Sequence, residues 1–486
     1  MISYFWITTS IFMIVFVSSA LAFAVLVAQY TGFNVLPFPI QEAKAIKLKT
    51  PPSPPNQDLS LNDGNTSMRT SSSPPQSNTA SLGCINYNPS TRTVIVSCSS
   101  PARLTDIDNK LHDSSILAKQ SANGVWFLNA NLVITKGATF HIDSTDTKWL
   151  KVSSKVASAS IAKTTFPAYI IDVHGSLKID SVKITSWDPT TNYYAITNGS
   201  RTGSDVFIFG APRPVIEVET DATTPTDITN SEIAYLGFEA GKHKADSGLS
   251  FYGGDGSVLR NDNIHHVYFG LYTFGVGHMI IENNIIRNSG HYGLDPHTGT
   301  HDMIIRNNIV YDNNGSGIIC SLNCYNILIE NNKVHDNAEN GIDFSRNMTK
   351  SIARNNIVYN EPSGIFVSQS HNNQISNNTI SKSGNGIQVG SGSSNNKIFG
   401  NTISNAIREA ILIDSGSSVN TFTSNKIVSN TSQGLKIVQD STSKNNSFAN
   451  NQIVTSGGIS TTTPSTAPPA LGNTLKHPPD KKISTK

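Results

Sequence analysis

The 486-residue chain reads as an all-β protein wound into a parallel β-helix, with three short strands per coil and 22–24 residues in most coils. Three observations predict this. A Gly (once Ala) followed by an aliphatic residue recurs at Gly248, Gly270, Gly293, Gly317, Gly341, Gly364, Gly386, Ala410 and Gly434, at intervals of 22, 23, 24, 24, 23, 22, 24 and 24. Interleaved with it run Asn284, Asn308, Asn332, Asn356, Asn378, Asn401, Asn425 and Asn451, each followed by a short apolar run such as NIVYD. A third apolar run precedes the Asn, as in HMIIEN, DMIIRN and NILIEN. Leucine-rich repeats share the period, but Leu is sparse here and no helical segment fills the unit.

The composition agrees. Residues 281–460 hold 33 Asn, which suits turns and side-chain ladders and not helices. Gly is expected where the backbone turns, and stacked Asn are expected to bond from coil to coil about 4.8 Å apart. The net charge of +2, from 36 Lys and Arg against 34 Asp and Glu, excludes a nucleic-acid binder that works by neutralising phosphates.

Residues 1–41 carry no Lys, Arg, Asp or Glu and read as a transmembrane anchor or a signal segment. The Pro/Ser-rich stretch 42–83 is a linker to an extracytoplasmic domain. Residues 84–119 form an N-terminal cap, with a short helix expected in IDNKLHDSSILAKQ. Cys84 and Cys98 flank a turn at Asn88-Pro89-Ser90 and are expected to pair, in keeping with an oxidising compartment. The β-helix occupies 120–456 and a disordered tail 457–486. The chain would sit at the cell surface, membrane-anchored or alternatively secreted. Cys320 and Cys324 read as buried thiols or a local disulfide, and not as a metal pair.

Strand alternation sorts the faces of the coils. Leu294 and Pro296 should point inward, and Asp295 and His297 outward. One outward column then holds Tyr272, Asp295, Ile319, Asp343 and Phe366; the next holds Phe274, His297, Ser321, Ser345 and Ser368, with Arg346 one residue beyond. Aromatic rings beside acids and an imidazole suit a sugar-binding groove.

The hexapeptide Tyr292-Gly293-Leu294-Asp295-Pro296-His297 and its surroundings resemble the catalytic region of mannuronan C5-epimerases. The likeness runs from about 120 to 380 and includes Leu177–Pro189, Arg213–Ile216, Ile233–Gly241 and Gly341–Asn347. It implies a right-handed parallel β-helix and C5-epimerisation of uronic acids in a 1,4-linked polysaccharide. It also implies His297 as catalytic base, Tyr292 as its partner in proton transfer, Asp295 as an acid that holds the site, and Arg346 as a match to an Arg of the following coil. Tyr272, Phe274, His301, Ser321 and Asp343 are the expected substrate-binding residues. Two positions depart from the family pattern. Leu322 stands where the family has the Arg that neutralises the substrate carboxylate, and Thr298 follows the His where an acid is common.

The charge matters because C5 deprotonation beside an unneutralised carboxylate has a prohibitive barrier. Arg346, about 10 Å along the axis from His297, a protonated His301, or a Ca²⁺ held by Asp295 and Asp343 are the candidates to supply it; no cofactor is otherwise required. A polyuronate or other acidic polysaccharide is the expected partner. Two readings compete with epimerisation: a polyuronate lyase, which begins with the same abstraction, and a non-catalytic surface protein that binds glycans.

Overall fold

The computed structural model describes residues 82–155, 168–196, 213–238, 247–455, 458–461 and 465–466. The expected membrane or signal segment (1–41) lies outside them, as does nearly all of the linker. Among the described residues no helix is long and apolar enough to cross a membrane.

Three long sheets make up the body, two of 15 strands and one of 12, and within each the strands follow one another coil by coil. One coil shows the pattern. Ile280–Glu282 lies in the 12-stranded sheet, Ile285–Arg287 in the second sheet and Leu294–His297 in the third. Only two residues join the first pair, so that corner is tight, and six join the second. Pairing along the stack is parallel; antiparallel hairpins occur at its ends.

Alternation puts aliphatic side chains inside in register. Ile264, Ile286, Val310, Val334, Val358, Ile380, Ile403 and Ile427 stack in one continuous column, each fully buried. A β-branched side chain fits a pleated, crowded wall with little rotamer freedom to lose.

The Asn ladder forms as expected. Asn332 donates both its backbone N–H and its Nδ2 to Asn356 Oδ1 (2.9 and 3.0 Å), and Nδ2 also reaches the Ile305 carbonyl at 2.9 Å. In turn its own Oδ1 accepts the same pair from Asn308. Parallel ladders run elsewhere, one through Asn313, Asn337 and Glu361, another through Asn373, Asn396, Asn420 and Asn446. The residue before each main rung takes the left-handed conformation (Asn283, Asn307, Asn331, Asn355, Asn377), which explains the Asn-Asn doublets.

Apart from Gly248, which is left-handed at φ 100°, the repeated glycines do a different job from the one expected. Gly270, Gly293, Gly317, Gly341, Gly364 and Gly386 are not left-handed. They are small because the next coil passes close by. A Cβ on Gly293 would stand 2.4 Å from the Gly317 carbonyl oxygen, and one on Gly317 2.5 Å from Val334.

At the N-terminal end the hairpin Ile85–Asn88/Thr93–Val96 carries the expected Cys84–Cys98 disulfide. Its second strand pairs in parallel with Asn131–Ile134, so the stacked sheet already begins inside the cap region. The cap helix spans Leu104–Leu111 and buries Leu104 and Ile107. It ends at His112, in the left-handed conformation, and the rest of the predicted helical stretch is strand, Leu117–Ser121. At the other end the tail is partly ordered: Gly458–Thr461 pairs with Gln452–Thr455, and Ser465–Thr466 with Val438–Gln439.

Two buried acids stand in ladder positions. Asp262 takes the place of an Asn one coil before Asn284: its N–H donates to Asn284 Oδ1, and its Oδ1 accepts from the Ser231 N–H. Its Oδ2 is buried without a hydrogen-bond partner among the described residues. Burial pushes its carboxyl up to about 7, and that of Glu361 up to about 9. A proton on Asp262 would do what the amide N–H does in the other rungs.

Two outcomes are expected. Removing a central rung, Asn332→Ala, leaves several buried donors and acceptors unpaired and should cost on the order of 3 kcal/mol in chemical denaturation. The raised carboxyl of Asp262 contributes stability that is fully present below the unfolded value near 4 and is lost as pH rises through about 7. Asp262→Asn should therefore stabilise the protein above pH 7, by on the order of 3 kcal/mol, and flatten its melting temperature between pH 4 and 7.

Candidate active site

Parallel pairing in the third sheet aligns the predicted columns. Tyr272 pairs with Asp295, and Phe274, His297, Ser321, Ser345 and Ser368 follow one another in register. Ile319, Asp343 and Phe366 also align. Pro296, with no N–H to give, interrupts the ladder between Leu294 and His297.

His297 is half-buried, and its Nδ1 lies 2.6 Å from the Thr298 hydroxyl. Arg346 follows the end of Asn340–Ser345 in the left-handed conformation, φ 51°. Its side chain runs back across two coils. Nε donates to Ser321 Oγ at 2.7 Å, and Nη2 lies 3.3 Å from His297 Nε2. A guanidinium only donates, so Nε2 of His297 is the acceptor and carries a lone pair. The cation thus lies against the imidazole, although Leu322 occupies the position one coil earlier.

Several expected binding residues are placed differently. Ser321 is fully buried, and its hydroxyl holds Nε of Arg346, so it is not presented to a ligand. Asp295 and Asp343 lie in the outward columns yet are 3% and 2% exposed. Asp343 accepts Nδ2 of Asn340 at 2.9 Å. Both acids are near enough to bear on the buried Cys320 thiol, and Asp295 on Cys324 as well. His301 belongs to the turn beyond His297, where it stacks on Tyr325 with ring centres 5.0 Å apart and pairs with Asp302 at 2.7 Å. Phe274 is exposed, as a platform requires.

Tyr292 is half-buried in the turn before its strand and not in the interior. Gly315 makes room for it: a Cβ there would meet its ring at 2.6 Å. Its neighbours are His291, at 3.9 Å between ring centres, and Phe269, at 5.7 Å. Phe269 in turn lies 5.9 Å from Tyr272, whose ring is 5.5 Å from that of His297. Ring contacts through Phe269 and Tyr272 thus link Tyr292 to His297. The sequence reading missed Phe269 and His291, and it named Thr298 only as a departure from the family pattern. The signal for the first was available, because Phe269-Gly270 and Tyr292-Gly293 occupy the same place in successive repeats.

Cys320 and Cys324 are free, buried thiols. Burial pushes the Cys324 thiol up to about 12 and the Cys320 thiol well above its usual value. Among the described residues no group of three or more His, Cys, Asp or Glu is gathered as a metal site would need.

The chain is similar to the crystal structure of the periplasmic alginate epimerase AlgG at 20% identity, over 75% of this chain and 85% of that one, with a TM-score of 0.62. That likeness shows the fold. The A-module of the Azotobacter vinelandii mannuronan C-5 epimerase AlgE6 is 16% identical, over 68% of this chain and 89% of that one; its TM-score of 0.43 carries no argument. No curated protein matches the chain. Residues 226–411 and 361–468, together half of the chain, match the family model described as periplasmic copper-binding protein (NosD). Copper favours thiolate or imidazole clusters; among the described residues His265 meets His266 and His278 meets His301, but no set of three or more such ligands is gathered. By that match over half its length, the chain belongs to the NosD family of β-helix proteins.

Proposed function

We propose that this protein is a C5-epimerase of uronic acid residues in a 1,4-linked polysaccharide outside the cytoplasm. The observation that carries the reading is the Arg346 guanidinium, 3.3 Å from the imidazole of His297, whose ring also lies 5.5 Å from that of Tyr272. It answers the one chemical demand that Leu322 leaves unmet, a cation for the carboxylate beside C5. The Cys84–Cys98 disulfide and the likeness to a periplasmic epimerase support the compartment.

In this mechanism a uronate carboxylate enters against Arg346 and draws the guanidinium off Nε2. The lone pair so uncovered takes the C5 proton, and the electrons of the C–H bond move into the carboxyl group, whose developing double negative charge Arg346 stabilises. Tyr292 gives its phenolic proton to the opposite face of C5; Tyr292 then regains a proton from solvent, and His297 releases to solvent the one it took. No bond of the chain is broken. Asp295, behind the imidazole, holds the site's charge; Tyr272 and Phe274 offer faces for the sugar rings.

Incubation of the purified protein with polymannuronate in D₂O should place deuterium at C5 of inverted residues, read by NMR, without an unsaturated product. His297→Gln should lower the rate on the order of 10³-fold. Appearance of the ultraviolet absorbance of an unsaturated uronate would make the protein a lyase. Binding without any exchange would leave a glycan-binding protein. Arg346→Gln should lower kcat/KM on the order of 10²–10³-fold, with Arg346→Lys less impaired. Tyr292→Phe should lower kcat on the order of 10²-fold, whereas Tyr272→Phe should mainly raise KM.

A further inference from the structure

The corner after each strand of the third sheet is left-handed in coil after coil: Gly275, Thr298, Leu322, Arg346 and Gln369 all have positive φ. Among these corner residues Thr298, at φ 31°, is the β-branched one, and such residues rarely adopt this conformation. Elsewhere among the described residues, Val419 is the other β-branched residue with positive φ. A residue held in so sparse a region costs stability and points to a local function.

Its hydroxyl shows what that function is. Thr298 Oγ1 lies 2.6 Å from His297 Nδ1, while Arg346 Nη2 lies 3.3 Å from Nε2 on the other side of the ring. Arg346 can only donate, so in the neutral ring the proton resides on Nδ1, and the Thr oxygen accepts it. We infer that Thr298 is a positioning residue, which holds His297 in the Nδ1–H tautomer and fixes the ring so that the Nε2 lone pair faces the groove. The inference rests on the proposed role of His297 only for its consequence in catalysis; the tautomer itself is a property of the free protein.

The test is long-range ¹H–¹⁵N NMR of the full chain labelled with ¹⁵N-histidine, above neutral pH, with the His297 signals identified by their loss in His297→Gln. Wild type and Thr298→Ser should show a protonated Nδ1 and a lone-pair Nε2. In Thr298→Val the two nitrogens should shift toward each other as ring and tautomer become mixed. Thr298→Gly removes the hydroxyl and also relieves the backbone, so it should melt at or above the wild-type temperature yet show the same mixing. A proton on Nε2 in wild type, or unchanged shifts in both the Val and Gly variants, would overturn the inference. With polymannuronate, Thr298→Val should lower kcat on the order of 10–100-fold at nearly constant KM, and Thr298→Ser should restore it. A wild type that exchanges no C5 hydrogen sinks the epimerase reading and leaves the tautomer result standing.

Discussion

A buried amide whose every polar atom is satisfied by the neighbouring coil governs this molecule. A parallel β-helix must turn its chain at three corners per coil, and those corners present backbone N–H and C=O groups with no strand opposite. The Asn rungs solve this by giving two donors to one oxygen and a third bond to a carbonyl. Because each rung is both donor and acceptor, the ladder holds the coils at the spacing the sheets require. Register along the stack then follows, and with it the alignment of Tyr272 with Asp295 and of Phe274, His297 and Ser321. The meeting of these side chains is a consequence of that register and not a separate design.

Periodicity made the architecture legible. The two rulers and the alternation between them located the coils, the inward stack and the outward columns, since a slip of one residue would have turned every side chain to the wrong face. What pattern does not carry is depth. Asp295, Ser321 and Asp343 lie in outward columns, yet they are buried, and for Ser321 a side chain from the next coil, Arg346, sits on its hydroxyl. The same limit applies to Arg346. Its position in the repeat was plain, but its reach back to His297 follows from the left-handed backbone at that corner. The glycines were misread for a related reason: sequence marks where a side chain is excluded and does not distinguish a turn from a close approach.

The chemistry of the groove rests on opposed demands. A base needs an available lone pair, and a carboxylate beside an ionising carbon needs a positive charge. In the proposed mechanism one guanidinium meets both groups in turn: it contacts the imidazole in the free protein, and the substrate acid would take it over when a sugar enters. Ser321 anchors that guanidinium by accepting its Nε–H. In that mechanism the base stays covered until the group that stabilises its product has arrived.

The left-handed corner after the third-sheet strands has a wider consequence. A side chain planted there leaves the core untouched, since the strand before it supplies the inward residues, yet it can lie across the outer face of earlier coils. Gly, Thr, Leu, Arg and Gln already occupy it in succession. Exchanging residues at this one recurring site would relocate a charge or a hydroxyl by single coil steps while sparing the scaffold. A lineage of such proteins can therefore migrate its functional groups lengthwise, and the loss of an ancestral cation at one step is repairable by recruiting another at the next.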